Sequence, residues 1–185
     1  MLAVRHLSAL TVMALVALTS SLAYATVVVP LTLADQVQRA DLVVRARVGS
    51  VRSAYVAERG TILSWTELEV TESLKGQAPV TLTLRQMGGT ADGQTMLVPG
   101  DAHLAPGEEV ILFLRRDRNG TGDVFLLALA QSAYVVHGQQ ASRDLSQLTF
   151  AVLGDGTQLS EPGHESAVGV DALVSQIRSL AGGAQ

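Results

Sequence analysis

Three stretches constrain the fold of this chain more than any others: residues 40–51 (ADLVVRARVGSV), 66–76 (TELEVTESLKG) and 104–114 (LAPGEEVILFL). Side chains alternate across a strand, so a period-two pattern marks a half-buried strand and a continuous apolar run marks one buried on both faces. The first stretch is apolar on both faces at Leu42, Val43 and Val44, then alternates where Arg45 and Arg47 turn outward. In the second, Leu68 and Val70 face one way and Glu67, Glu69 and Thr71 the other, ending at a Lys75-Gly76 turn. Val80, Leu82 and Leu84 alternate with Thr81, Thr83 and Arg85. Pro106-Gly107 introduces the apolar strand 110–114, and Asn119-Gly120 joins it to residues 124–129, a strong hairpin signal. Residues 134–136 and 148–153 read as further strands. Six or seven short strands with a turn every ten or so residues predict a mainly β chain, a small barrel or sandwich.

A helix is expected at each end. Thr32, with Asp35 three residues on, opens a short helix with Leu33, Val37 and Ala40 on one face. Leu173, Val174, Ile177 and Leu180 recur at helical spacing, with Asp171 as the expected N-cap and Gly182-Gly183 as the stop. Residues 54–60 read as a hairpin loop. The pattern dissolves over residues 87–99, which contain Gly88-Gly89 and Asp92-Gly93. Gly154-Asp155-Gly156 is an expected turn, and Pro162-Gly163 lies in an expected loop.

Residues 1–25 read as an export signal: Arg5 and His6 precede an apolar run from Ala9 to Leu18, and Ala23-Tyr24-Ala25 gives the small-x-small cleavage pattern. The run is too short for the ~20 residues of a membrane span and is followed by Thr19, Ser20 and Ser21. The mature chain is expected to begin at Thr26, in a secreted or periplasmic location, with no membrane span after cleavage. With no cysteine in the sequence, disulfides, thiolate metal sites and thiol catalysis are excluded. Without Arg5 the count is 12 basic against 17 acidic residues, a net of −5. No basic cluster exceeds Arg115-Arg116, and aromatic residues are too few for base stacking, so no nucleic-acid footprint is present.

The chemistry-bearing residues have ordinary structural readings. His103, His137 and His164 show no helical metal spacing and no H-E-x-x-H. No G-x-S-x-G elbow surrounds Ser146, Ser160 or Ser166. Asp117, Asn119, Gly122 and Asp123 resemble a calcium loop, but its fifth position is Thr121 and its twelfth is Ala128 rather than a bidentate glutamate, and the hairpin turn accounts for them better. Asn119-Gly120-Thr121 is also a short, common glycosylation sequon. Glu108-Glu109 and the pair Glu67 and Glu69 could be read as acid/base carboxylates, but Glu67 and Glu69 share an exposed strand face, the ordinary place for solvated charge. Gly88-Gly89 is a bulge or bend, or a loop whose backbone approaches a partner. The expectation is a non-enzyme with no cofactor and no metal.

The segments ADLVVRARV after a short helix, LEVTESLKG into its turn, and GEEVILFL resemble the netrin-like fold, and within it the tissue inhibitors of metalloproteinases. The resemblance covers about residues 26–136. It implies a small OB-type closed β-barrel. In those inhibitors the mature N-terminus enters the protease cleft, where its α-amino group and first carbonyl chelate the catalytic zinc. By position Thr26 stands there, followed by Val27, Val28, Val29 and Pro30, with Val29-Pro30 where the family also has Val-Pro. The family's first residue is a cysteine whose disulfide holds this strand rigid; here packing has to do so.

The resulting organisation is a signal peptide at 1–25, an OB-type barrel at 26–137 and an extension at 138–185 with a strand and a helix packed on the barrel. The expected role is a binding domain, inhibiting or regulating a secreted metalloprotease through Thr26 to Pro30 together with Gly88 and Gly89. The alternatives are a cell-envelope module binding polysaccharide or another surface protein, and a hydrolase whose polar residues converge only in space.

Overall fold

The computed structural model describes residues 26–152, 157–161 and 165–183. The export signal, the 154–156 turn, the Pro162-Gly163 loop and His164 lie outside the described residues. The chain is mainly β, with two helices among the described residues. Its elements run β1 (Thr26–Val28), α1 (Leu33–Arg39), β2 (Leu42–Val56), β3 (Thr61–Lys75), β4 (Thr81–Met87), β5 (Gly89–Ala91), β6 (Gln94–Met96) and β7 (Glu109–Arg116). There follow β8 (Val124–Leu126), β9 (Ala133–His137), β10 (Gln140–Ser142), β11 (Leu148–Val152), β12 (Gln158–Ser160), β13 (Val168–Gly169) and α2 (Val170–Gly182).

Five strands pair in a ring: β7 with β2, β2 with β3, β3 with β4, β4 with β8, and β8 back to β7. All these pairings are antiparallel except β4–β8. Beyond β7 the sheet continues through β9, β10 and β13. The double-faced start of β2 now has its reason. Val44, Ala46 and Val48 join Leu68, Leu84, Leu112 and Val124 in one core cluster. Val43 of the same strand joins Ile111, Phe113, Val37, Leu173, Val174 and Ile177 in another, beneath the two helices. Each such side chain removed from water contributes about 1.5–3 kcal/mol. A third cluster, around Ala130, Leu145 and Leu148, lies against β1 and β11, which pair in parallel.

Helix α1 starts at a capping box: Asp35 N–H donates to Thr32 Oγ1 and Thr32 N–H to Asp35 Oδ2. The Thr32 hydroxyl also donates to Asp35 Oδ2, and this bond, with the one from the Thr32 N–H and the nearby Arg39 charge, holds the Asp35 carboxyl below the usual carboxylate range. The other end is closed by Lys75, the chain's single lysine, whose Nζ donates to the carbonyls of Val37, Gln38 and Ala40. A positive charge at a helix C-terminus also complements the dipole there.

Three local readings are corrected. Residues 54–60 are not all loop: β2 continues to Val56, and only a tight turn over Ala57–Arg59 separates it from β3. Residues 87–99 contain a two-stranded ribbon, β5 with β6, folded about Asp92-Gly93. The N-cap of α2 is Gly169, and Asp171 sits in its first turn, because Val168–Gly169 is first drawn into β13 by pairing with β10.

Candidate functional site

A groove of about 430 Å³ opens between the outer half of the β2–β3 hairpin, Gly88-Gly89 and the segment 97–104. Gly88 and Gly89 both have positive φ, +95° and +121°. A Cβ on Gly89 would overlap the hydroxyls of Ser53 and Ser64, and one on Gly88 would press on the Met96 carbonyl. Those hydroxyls form a short relay: Ser53 and Ser64 bond each other at 2.8 Å, and Ser64 donates to the Gly88 carbonyl at 2.6 Å. Glycine is therefore needed at position 89 for both conformation and space. The rim is apolar, with Val51, Met87 and Leu97 exposed; Leu97 is 83% accessible, high for a large hydrophobe.

Asp101, His103 and Gln147 line both the groove and a smaller recess of about 260 Å³ beside it. Burial raises the Asp101 carboxyl above the usual range, partly offset by bonds from Gln86 and from the Ala102 N–H. His103 is exposed, as is His137 on β9. Among the described residues no group of three or more acidic or histidine side chains is placed to hold a metal. The 117–123 loop has its cation in another form. Arg85 reaches Asp123 at 2.9 Å and Asp117 at 3.7 Å, so a guanidinium occupies the centre of the oxygen cluster. Thr121 Oγ1 and the Asn119 N–H donate to Asp117 as well, holding its carboxyl low.

Thr26 is bonded to the 97–104 segment and to Gln147. Its Oγ1 donates to the Pro99 carbonyl and its N–H to the Gln147 carbonyl at 3.1 Å, while the Gly100 N–H donates to Gln147 Oε1 at 3.2 Å. Val27 and Val29 are exposed, and Val28 is half-buried on β1. Pro30 is straddled by one side chain. Gln131 Oε1 accepts from the Leu31 N–H at 2.9 Å, and its Nε2 donates to the Val29 carbonyl at 3.3 Å. Gln131 is only 2% exposed. Its own carbonyl accepts from Arg143 at 2.8 Å and, with the Gln36 amide turned to satisfy its neighbours, from Gln36 at 2.9 Å.

Of the residues singled out in the sequence, Gly88 and Gly89 line the groove, while Thr26 to Pro30 do not line it and meet its neighbourhood only through the bonds of Thr26 to Pro99 and Gln147. Sequence reading missed the 97–104 segment and missed Gln131. The exposed Leu97 and the buried Gln131 sit in stretches without periodicity, and only the contact of distant segments gives either a role. No protein-family model and no curated protein matches this chain.

Proposed function

We propose that this chain is an exported, non-enzymatic binding domain, an OB-type barrel of the netrin-like kind, which restrains a metalloprotease with the edge formed by Thr26 to Pro30 together with Gly88-Gly89. The observation that supports the reading is the bonding of Thr26 to the carbonyls of Pro99 and Gln147, which ties the expected mature N-terminus to the segment that supplies Leu97 and Val98 to the groove. The five-strand ring is consistent with a barrel of this type.

Such an edge gains affinity when it is rigid before binding, because the ordering entropy is then not lost on association. The resembling inhibitors use a disulfide for this. Here the parallel ladder with β11 and the Gln131 bracket around Pro30 do the same work through hydrogen bonds. Exposed Val27, Val29 and Leu97 offer apolar surface for a partner to cover.

The test is inhibition of several secreted zinc proteases by protein beginning at an authentic Thr26. Inhibition is expected to disappear when one extra residue precedes Thr26, since the α-amino group is then displaced. Absence of inhibition across the enzymes with the authentic terminus refutes the protease reading.

A further inference from the structure

A second cavity, of about 450 Å³, lies away from the groove, between the start of α1, the start of α2 and β9. Its volume is in the range of small-molecule sites. Leu31, Leu33, Val168 and Leu173 supply apolar wall, and Thr32, Tyr134, Arg143, Glu165 and Gln176 supply polar groups. Tyr134 is 6% exposed, and its hydroxyl has no hydrogen-bond partner among the described residues. Burial raises its pKa, so it remains a donor throughout the neutral range.

The start of α2 faces the same space through Gly169 and Ala172. No side chain caps this helix; the Val170 N–H is taken by the Gln139 carbonyl. The next two N–H groups, of Asp171 and Ala172, have no partner among the described residues, and the first-turn donors of a helix require one from outside it.

Charge decides what head group these donors suit. Arg143 lies over the Tyr134 ring at 4.7 Å, but its guanidinium is already engaged. Nε and Nη2 meet the Glu165 carboxylate, and Nη1 donates to the Gln131 carbonyl. Asp35 and Asp171 stand at the two helix starts, so no uncompensated positive charge is left for an anion. The groups left free among the described lining residues are neutral: the Tyr134 hydroxyl, the Ala172 N–H and the Gln176 amide.

We propose that this cavity binds a small uncharged amphipathic molecule, with a carbonyl acceptor of the amide or ester type meeting Tyr134 Oη and the open N–H groups of α2, and an apolar body against Leu31, Leu33, Val168 and Leu173. The site is separate from the groove.

Hexanamide, hexanoate and hexylammonium, titrated into the full-length protein by calorimetry or ligand-observed NMR, test this directly. Saturable binding of hexanamide is expected, with hexanoate and hexylammonium each at least ten-fold weaker. Tyr134→Phe, which keeps the ring packing, is expected to weaken hexanamide about ten-fold by removing one hydrogen-bond donor. Ala172→Leu, at an exposed helix position that borders the cavity, is expected to abolish binding by filling it. Both variants are checked for an unchanged thermal transition. No saturable binding of hexanamide overturns the proposal, as does equal or tighter binding of hexanoate, or a Tyr134→Phe protein that binds hexanamide as well as the parent.

Discussion

Replacing Gln131 by methionine isolates the bracket that holds the N-terminal edge. Methionine nearly matches glutamine in length and volume, so the buried site is neither emptied nor overfilled. The two bonds across Pro30 are lost: the one at 2.9 Å from the Leu31 N–H and the longer one at 3.3 Å to the Val29 carbonyl. A typical intramolecular bond contributes about 0.5–1.5 kcal/mol net, and a donor left unpaired in a partly buried place costs somewhat more. The Leu31 N–H is such a donor, so the sum comes to about 1.5–3 kcal/mol. For a domain of this size that lowers the melting temperature by roughly 3–12 °C. Urea unfolding should show a lower midpoint with an unchanged slope, because the surface exposed on unfolding is the same. Hydrogen exchange at Leu31 should accelerate more than at Ile111 in the core, since the edge opens locally before the ring does. A loss below about 0.5 kcal/mol, with Leu31 exchange unchanged, refutes the idea that Gln131 fixes this edge. In the protease assay the same variant should bind more weakly, chiefly through lost preorganisation.

Other substitutions probe separate parts of the structure. Lys75→Met removes three charge-assisted bonds to the end of α1 and is expected to cost about 1–3 kcal/mol in denaturant unfolding. Gly89→Ala should cost more than about 2 kcal/mol, from both the positive φ and the overlap with Ser53 and Ser64. Gly93→Ala, also at positive φ but with open space around its Cβ, should cost only about 1 kcal/mol, and calorimetric melting of the pair compares them. Asp101 gives a pH signature with a definite sign. Its folded-state pKa is raised, so folding favours the protonated carboxyl, and stability from this group is lost as pH climbs from 3.8 through the raised value. Asp101→Asn should therefore be more stable than the parent at pH 7 and lose that advantage below about pH 4. Urea midpoints measured across this range check it, and an Asn variant less stable at pH 7 contradicts the assigned burial effect.

Much of the secondary structure was legible because strand and helix periodicity are local properties. The capping box at Thr32 and Asp35, the hairpin at Asn119-Gly120, the alternation through Leu68 and Val70, and the apolar face of α2 each depend on residues a few positions apart. The errors also have local causes. Alternation fades in the outer half of β2, where Ser50, Arg52, Ser53 and Tyr55 face solvent or the groove, yet pairing with β3 holds the strand to Val56. Asp171 is a good N-cap by residue type, but the pairing of Val168–Gly169 with β10 fixes where α2 can begin. The hairpin expected at Asn119-Gly120 is present, but the guanidinium that pairs with Asp117 and Asp123 comes from Arg85, 32 residues before Asp117.

The sequence by itself determined a mainly β chain with a helix near each end, without thiol chemistry, and with strand faces whose polarity marks inside from outside. Tertiary structure alone decided that Val43 and Val44 serve two different cores, and that Gln131 and Lys75 each complete a segment far from them in the chain. It also decided that Thr26 bonds to Pro99 and Gln147. The physical reason is separation: the Gln131 bracket spans 100 residues and the Thr26–Pro99 bond spans 73. No periodicity encodes such contacts. They follow from how the ring closes and which polar groups are buried when it does.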